Sequence, residues 1–437
     1  MVGRAGSPGW RRGAGLAALV LALGMAVSAL LLGAAATSSP WAPLRPLPIA
    51  ADQHAMVWKV VADPSSPQDL AAATSKGVWT SIDDGRTWAA SPLHQFTWTL
   101  AYGSSGDVLY AGTLHAGIFR SSDSGLSWKQ VNTGLRSLDV RSIATGPTAI
   151  VLGTEAGVYV SGDGLAWERA GLDDLSISAV AIVADSPLGV LAGSDQLSQP
   201  NNLYRSLDVG VASGWQAVSG GDPGGSPVFA VAAGPVLKGG TDPPILVGSL
   251  KGLYASADGG GTWQAQALAG GALWSVDAIA FDPDNPAVIY VGGDNGGSTG
   301  GGLQRTTDGG GTWVAFQHGL ANPEITSLTS LSTTPLTVLA TFWNPVGRVG
   351  GVARALDATA PPPVALKSSS GTPISVAVSP TPTARPTPRH HHHKAAGRGP
   401  ISVPLLVAVI VVVIVLLVLF AIYRRRRRLR LEAEAPP

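Results

Sequence analysis

The chain between residues 51 and 378 consists of short apolar runs separated by glycine, aspartate and proline. Runs such as Asp107–Thr113 and Val276–Phe281 are rich in valine, leucine and tyrosine, and each stops at a turn residue. About four such runs recur in every stretch of 40–50 residues. This density of short runs predicts antiparallel strands joined by tight turns, and it is too high for helices.

One turn sequence recurs through this region. It reads Ser81-Ile82-Asp83-Asp84-Gly85-Arg86-Thr87-Trp88 in its first copy. Its recurring residues are Asp83, Trp88, Asp123, Trp128, Asp163, Trp167, Asp208, Trp215, Asp258, Trp263, Asp308 and Trp313, and a seventh copy is reduced to Ala355-Leu356-Asp357. Successive aspartates are 40, 40, 45, 50, 50 and 49 residues apart. We expect the aspartate to accept backbone N–H groups and the tryptophan to pack between neighbouring sheets.

Seven units of four short strands predict an all-β fold. It is a seven-bladed β-propeller of four-stranded antiparallel blades over residues 51–378. The seventh blade lacks a full turn, so the source of its outer strand stays open. Val364–Lys367, Ile374–Val378 and the segment near Leu47–Ala50 are the three alternatives.

The turn S-x-D-x-G-x-T-W resembles the Asp-box repeat of the sialidase (BNR) type. In repeat form and single-propeller size, the chain is similar to photosystem II stability/assembly-factor proteins and to bacterial surface proteins with such repeats. The Asp box is structural in these proteins. The resemblance therefore implies a propeller, broadly of the WD40/YVTN-like kind, with a binding or assembly role.

The first apolar run, Leu16–Ala36, follows three arginines and ends in small residues. It predicts a signal peptide or an uncleaved signal anchor over residues 1–36, followed by a linker over residues 37–50. Both alternatives export the rest of the chain.

The second apolar run, Ile401–Tyr423, contains no charged residue and is followed by Arg424–Arg428. It predicts a transmembrane helix over 401–423 and a basic cytoplasmic tail over 424–437. A Pro/Thr/His-rich stalk over 379–400 precedes it and contains His390–His393. We interpret these histidines as a solvated polar run, with binding of a transition metal or protonation at low pH as the alternatives. The predicted location is the plasma membrane, single-pass, with the propeller extracellular.

The charge of the middle region excludes one class of partner. Residues 52–357 contain 14 Lys and Arg against 26 Asp and Glu, whereas a nucleic-acid-binding domain needs a basic surface. The chain contains no cysteine, which excludes disulfides and thiolate metal sites. We therefore predict no nucleic-acid partner, no cofactor and no metal site.

Candidate binding residues follow from the predicted topology. If the recurring turns join the third and fourth strands, the other loops lie on the opposite face around the central channel, where long loops on a rigid scaffold tend to carry binding. The candidates on that face are His54, Trp58, Trp98, Arg141, Asp195, Asn202, Trp274, Asp277, Asp294, Glu324, Trp343 and Arg348.

The sequence favours binding over catalysis. A sialidase would carry an F/Y-R-I-P element, which is missing, and the related xyloglucanases use a cleft between two propellers, whereas one is predicted here. The predicted function is a membrane-anchored, extracytoplasmic, non-catalytic propeller that binds a protein or glycan partner in a scaffold, assembly or adhesion role. The alternative is an anchored glycoside hydrolase with paired carboxylates such as Asp277 and Glu324.

Overall fold

The predicted strands pair, blade by blade, into seven four-stranded antiparallel sheets in the computed structural model of the chain. The structure describes residues 41–45, 47–48, 56–104, 106, 108–185, 187–209, 214–218, 223–269, 275–294, 302–320, 324–344 and 349–367. The chain divides into two units, Met1–Val376 and Ala377–Pro437, and the second lies wholly outside the described residues. The predicted seven-bladed propeller is confirmed.

In the first six blades the strands follow one another outward from the central channel in chain order. Blades one to three contain β2 (Val57–Asp63), β3 (Ser66–Thr74), β4 (Gly77–Ser81), β5 (Ala89–Ala90); β6 (Thr97–Tyr102), β7 (Leu109–Thr113), β8 (Ile118–Ser121), β9 (Lys129–Gln130); and β10 (Val140–Thr145), β11 (Ile150–Thr154), β12 (Gly157–Ser161), β13 (Glu168–Gly171). Blades four to six contain β14 (Ile177–Asp185), β15 (Leu188–Ser194), β16 (Leu203–Ser206), β17 (Trp215–Ala217); β18 (Val228–Ala233), β19 (Ile245–Ser249), β20 (Gly252–Ser256), β21 (Gln264–Ala265); and β22 (Ser275–Asp282), β23 (Asn285–Asp294), β24 (Leu303–Thr306), β25 (Val314–Ala315).

The seventh blade is completed from the other end of the chain. Its inner strands are β26 (Glu324–Leu331), β27 (Leu336–Asn344) and β28 (Val349–Asp357), and its outermost strand is β1 (Trp41–Pro43). Trp41 pairs with Ala355 and Pro43 with Ala353. Because β1 covers the free edge of β28, the propeller begins before residue 51, and the predicted linker over residues 37–50 contains a strand.

The three alternatives for this outer strand are therefore corrected. Leu47 is buried between blades but forms no strand. Leu366 forms an isolated bridge with Leu237, and the Lys367 N–H donates to the Val236 carbonyl at 2.8 Å, so this segment runs beside a loop of blade five. The range Ile374–Val378 lies outside the described residues.

The recurring turns join the third and fourth strands and are held by side-chain hydrogen bonds. At Asp258, the carboxylate accepts the backbone N–H of Thr262 at 2.9 Å and its hydroxyl at 2.7 Å. The Ser256 hydroxyl donates to the same carboxylate and accepts the Gly260 N–H, where φ is +89°. The same bonds recur at Asp83, Asp123 and Asp308, and a shorter set at Asp163.

The turn tryptophans pack between blades, as predicted. Trp128 donates its indole N–H to the Ser91 hydroxyl, Trp167 to the Val131 carbonyl and Trp215 to the Ala170 carbonyl, each in the preceding blade. Trp41 donates to the Phe316 carbonyl at 2.5 Å. Ser91, Val131 and Phe316 each directly follow the fourth strand of their blade, so Trp41 supplies the tryptophan that the seventh turn lacks.

The apolar core is divided among the interfaces between neighbouring blades. The innermost strands contact one another in ring order, and β26 returns to β2. This arrangement leaves a channel along the axis of the ring.

The two faces of the propeller differ in the loops that they present. The turns at Asp83 and its equivalents lie on one face, which we call the turn face, and the loops between second and third strands lie on the other, the mouth face. Trp41 pairs beside the end of β28, and Lys367 bonds to a loop between first and second strands. Both described ends of the chain therefore lie on the turn face.

No helix in the described ranges has the length and hydropathy needed to cross a membrane. The predicted segments 1–36 and 401–423, the stalk and the basic tail lie outside those ranges.

Candidate functional site

Each of the seven innermost strands carries a β-bulge near its mouth-face end. In β2, Val57 pairs with Thr74 and Lys59 with Ala73, so Trp58 has no residue opposite it. The same irregularity singles out seven residues, which we call the bulge ring: Trp58, Trp98, Arg141, Ser178, Phe229, Asp277 and Thr326. A bulge kinks a strand and re-aims a side chain. All seven residues line a cavity of about 260 Å³ in the channel.

A glycine lies opposite the residue that follows the bulge in five of the seven blades. A Cβ on Gly248 in β19 would lie 2.3 Å from the carbonyl oxygen of Val276, the residue before Asp277. Equivalent close approaches to the next blade occur at Gly112, Gly153, Gly193 and Gly292. In these five blades the glycine lets the second strand pack closely on the bulge of the next blade, whereas Ala73 and Thr341 take the equivalent register positions in blades one and seven.

Three aromatic rings form a cluster on one side of the mouth. The ring centroids of Trp58 and Trp98 are 4.8 Å apart, and Phe96 lies 4.6 Å from Trp98 and 6.0 Å from Trp58. The interplanar angles are 36–58°, so the rings meet as a wedge. Both indole N–H groups are buried and lack a hydrogen-bond partner among the described residues. Such groups carry unsatisfied hydrogen-bonding capacity at the mouth.

Arg141 continues this cluster into the third blade. Its guanidinium makes two hydrogen bonds with Asp195, at 3.1 and 2.7 Å, and donates to the Ser176 hydroxyl at 2.6 Å. The Arg141 Cζ also lies 5.9 Å from the Trp98 ring centroid. The guanidinium group of Arg141 is thus fixed by two hydrogen bonds to the Asp195 carboxylate and lies near the face of the Trp98 ring.

Asp277 lies in a different electrostatic setting, in the sixth blade. Burial raises its pKa to about 7, and the nearby charges of Asp294 and Glu324 add to the shift, while a bond from the Ser275 hydroxyl opposes it. Near neutral pH this carboxyl group is therefore partly protonated and able to donate a hydrogen bond.

The next position along each innermost strand forms a second ring, deeper in the channel. Its members are Lys59, Thr99, Ser142, Ala179, Ala230, Ala278 and Ser327, all lining the cavity. Lys59 is the one long side chain among them. Burial lowers the pKa of Lys59. Among the described residues, no carboxylate oxygen lies within 4 Å of its ammonium group. Apolar residues such as Val180 and Leu328 line the channel beyond this ring.

An acidic group that the sequence did not single out flanks Arg141 on the mouth face. Asp139 receives a hydrogen bond from the backbone N–H of His115 at 2.6 Å, and its carboxylate lies 2.9 Å from the His115 Nδ1. A hydrogen bond with Asp139 raises the pKa of Glu155. The described residues contain no cluster of three or more His, Asp or Glu suited to holding a metal ion.

The structure brings together part of the predicted set. Trp58, Trp98, Arg141 and Asp277 belong to the bulge ring, Asp195 joins it through Arg141, and Asp294 and Glu324 act on Asp277 electrostatically. Asp195, Asp294 and Glu324 act on lining residues without lining the cavity themselves, and two further predicted residues do neither. Asn202 is buried and bonds through its backbone to Gly224, and Trp343 pairs with Glu324 in the blade. His54, Trp274 and Arg348 lie outside the described residues.

Sequence reasoning missed Lys59, Ser178, Phe229 and Thr326. Aligning the seven repeats on the buried residue that precedes each bulge (Val57, Thr97, Val140, Ile177, Val228, Val276 and Ile325) would have found the three ring members. The sequence gives little indication of Lys59, because a lysine one residue after a bulge cannot be distinguished from a solvent-exposed lysine by sequence alone.

No family model and no curated protein sequence matches this chain. Among solved structures, YCF48 bound to a D1 peptide superposes with a TM-score of 0.51 at 14% identity, covering 74% of this chain and 97% of that chain. The extracellular domain of the putative one component system BT4673 from B. thetaiotaomicron superposes with a TM-score of 0.50 at 13% identity, covering 72% of this chain.

This chain covers only 40% of the BT4673 extracellular domain. An ancestral GH74 enzyme superposes with a TM-score of 0.39 at 19% identity, over 69% of this chain and 55% of that chain, which is too loose to bear on function. At these identities the likenesses show the propeller fold alone.

Proposed function

We propose that this chain is a membrane-anchored, outward-facing, non-catalytic propeller that holds a segment of a protein partner at the mouth of its channel. The observation that carries the proposal is the bulge ring, which places two tryptophans, a stacked arginine and further polar groups around one cavity. Tryptophan and arginine dominate the binding energy of protein interfaces when they lie at a central, desolvated pocket.

The polar groups at the mouth support a binding role. The indole N–H groups of Trp58 and Trp98 lack partners among the described residues, and a buried donor without a partner costs free energy. A carbonyl or carboxylate of a partner that reached them would offset this cost. Arg141 is already fixed by Asp195, so its position needs no reordering on binding.

The geometry of the aromatic cluster favours a peptide over a glycan. A sugar ring stacks on an open, flat aromatic face, whereas Trp58 and Trp98 are inclined at 57° and pack on each other. The inclined rings of Trp58 and Trp98 offer no flat face for a sugar. They can instead contact the side chains of an extended peptide that enters the cavity. A glycan partner is the other outcome of the experiment below.

The position of the chain ends supports the proposed anchoring. Trp41 and Lys367 both lie on the turn face. Segments that continue from these residues toward the predicted spans at 1–36 and 401–423 start from the face opposite the mouth.

The solved relatives provide context for a protein partner. YCF48, which this chain covers almost completely, was solved with a D1 peptide bound, and the BT4673 domain is extracellular. We also propose that the recurring turns are Asp boxes, on the strength of their hydrogen bonds around Asp83, Asp123, Asp258 and Asp308.

Selection from a library of random displayed peptides, against the full-length chain in detergent, tests the proposal. Peptides enriched on the wild type are expected to bind Trp58→Ala and Trp98→Ala variants more weakly by roughly 10-fold or more, since both rings line the cavity and supply most of its aromatic surface. Ile82→Ala, an exposed residue on the turn face, is the matched control. A glycan array run in parallel covers the other ligand class. Binding of the selected peptides that is equal in all variants would overturn the proposal.

A glycoside hydrolase is the second candidate, and one observation favours it. A pKa of about 7 is suited to a general acid, and Asp277 interacts with two further carboxylates, Asp294 and Glu324. Under the non-catalytic proposal a panel of glycans is expected to show no turnover. Turnover that disappears in both Asp277→Asn and Glu324→Gln would replace the binding role with hydrolysis.

A further inference from the structure

We propose that the channel beneath the aromatic cluster is a carboxylate-binding site built on Lys59, so that the partner peptide inserts an acidic side chain or its C-terminal carboxylate. This inference rests on the function proposed above and names the chemistry that the mouth recognises.

The first support is the isolation of Lys59. Arg141, the other cation that lines the cavity, faces the carboxylate of Asp195. Lys59 lines the cavity, and the ion pairs and hydrogen bonds of the described residues give it no such partner. Lys59 is half-buried, and this partial removal of its ammonium group from water lowers its pKa. A bound carboxylate would offset the cost of that desolvation.

The second support is the set of groups around Lys59. Its neighbours in the second ring are Thr99 in blade two and Ser327 in blade seven, both with hydroxyl groups. The Ser327 hydroxyl is buried and has no hydrogen-bond partner among the described residues. The unpartnered indoles of Trp58 and Trp98 lie one ring above. An ionised carboxylate only accepts hydrogen bonds and has room for about four, so it matches a site that offers donors.

The third support is the size and closure of the space. The cavity of about 260 Å³ is too small for a strand or a helix and holds a side chain or a chain end. Beyond the second ring the lining is apolar, with Ile143, Val180, Val231, Ile279 and Leu328. A charged group that enters from the mouth therefore stops at the level of Lys59.

The charge balance selects a carboxylate over a phosphate. One lysine neutralises a single negative charge, whereas a phosphate group carries nearly two near neutral pH. Asp277, one ring above, is partly protonated near pH 7 because burial raises its pKa to about 7, which weakens its repulsion of an incoming anion. Arg141, the cation of the bulge ring, is already paired with Asp195.

Peptides from the selection described above provide the test on the full-length chain. We expect the enriched sequences to share one acidic position or a free C-terminus. Replacing that glutamate or aspartate with its amide, or amidating the C-terminus, distinguishes the two carboxylate sources. The change that removes the bound carboxylate, and Lys59→Met, should each weaken binding by roughly 10- to 100-fold, with little further loss when they are combined.

Two further variants separate binding from folding. Lys129→Met removes an exposed lysine from the outer strand β9 and is the charge-matched control, expected to bind like wild type. Ser327→Ala removes a hydroxyl that has no partner, so it should weaken binding while the melting temperature is retained. Peptides that depend on Trp58 and Trp98 but not on Lys59 or any carboxylate would overturn this inference and leave the proposed function standing. Selection of no mouth-dependent peptide would overturn both.

Discussion

At the scale of single residues, one carboxylate fixes each recurring turn. Asp308 accepts the backbone N–H of Thr312 at 2.9 Å, its hydroxyl at 2.7 Å and the Thr306 hydroxyl at 2.6 Å. These bonds favour the ionised form and hold the pKa of Asp308 at about 2, with similar downward shifts in the pKa of Asp83, Asp123 and Asp163. The seventh aspartate, Asp357, is used differently. It is buried and accepts bonds from Tyr290 and Arg305 of the sixth blade.

The lowered pKa of the turn aspartates predicts acid sensitivity. A carboxyl group whose pKa is depressed on folding contributes stability above its ordinary pKa near 3.8, and loses it as the pH falls through about 2. Asp308→Asn should be less stable than wild type at pH 7, and the difference should shrink as the pH approaches 2. Chemical denaturation at several pH values measures this. Asp174→Asn, at an exposed carboxylate outside the turns, is the control. A difference that stays constant with pH would contradict the prediction.

Asp277 predicts the opposite pH dependence. Its pKa is raised on folding, so its contribution to stability is complete below about 3.8 and is lost as the pH rises through about 7. Asp277→Asn should therefore be more stable than wild type at pH 8, with the gain disappearing toward pH 4. Thermal melts across this range measure the effect, and Asp185→Asn serves as the control. An Asp277→Asn variant that loses stability at pH 8 would show that the ionised carboxylate is favourable there.

At the scale of elements, the closing strand β1 does more than complete a sheet. Trp41 is 3% exposed, packs edge-to-face on Phe316 with centroids 5.9 Å apart, and donates to the Phe316 carbonyl. This is the position that Trp167 takes toward Val131 in blade three. The chain thus replaces a missing tryptophan of the seventh repeat with one from a distant segment.

Truncation of Trp41 tests this equivalence. Trp41→Ala should destabilise the propeller by about 3 kcal/mol or more, and Trp263→Ala should have a similar effect, because each leaves a cavity between blades. Urea denaturation of the full-length chain gives both values. Leu126→Ala, on an exposed side chain of the turn face, should change little. A Trp41→Ala loss well below that of Trp263→Ala would show that β1 is only an accessory strand.

The glycines of the second strands connect blade packing to the site. A Cβ on Gly248 would lie 2.3 Å from the Val276 carbonyl oxygen, and backbone atoms cannot yield cheaply. Gly248→Ala should therefore both lower stability and shift the bulge that carries Asp277. Gly239→Ala, with no atom within 4 Å of the added Cβ, is a glycine control, although its φ of +87° adds a local strain of its own. Denaturation and the pH profile of Asp277 report the two effects, and a change in neither would contradict the link.

At the scale of the whole molecule, both described ends of the chain lie on the turn face, and the site opens on the other. The proposed topology predicts that protease added outside intact cells reaches the propeller while the arginine-rich C-terminus stays protected. An epitope tag after Pro437 and an antibody against the propeller report the two sides. Permeabilised cells are the control, in which both are expected to be cleaved. A protected propeller would reverse the proposed orientation.

The fold could be predicted from the sequence because its pattern is local and repeated. Each copy of the recurring turn, such as those at Asp83 and Asp258, fixes a turn within eight residues. The seven copies therefore give the number of blades. The closing strand could not be predicted in the same way. Trp41 has no turn motif beside it, and its pairing with Ala355 depends on the ring bringing both ends of the chain together.

The sequence by itself determined the number of blades, the order of the strands in the first six blades and the separation of the two faces, because the turn chemistry and the alternation of strands recur within each repeat. Only the tertiary structure decided that seven bulges converge on one channel, that Arg141 bonds to Asp195 and that Lys59 forms no ion pair with a carboxylate of the described residues. These relations join residues of different blades. Their distances depend on how closely the blades pack around the axis, which no single repeat specifies.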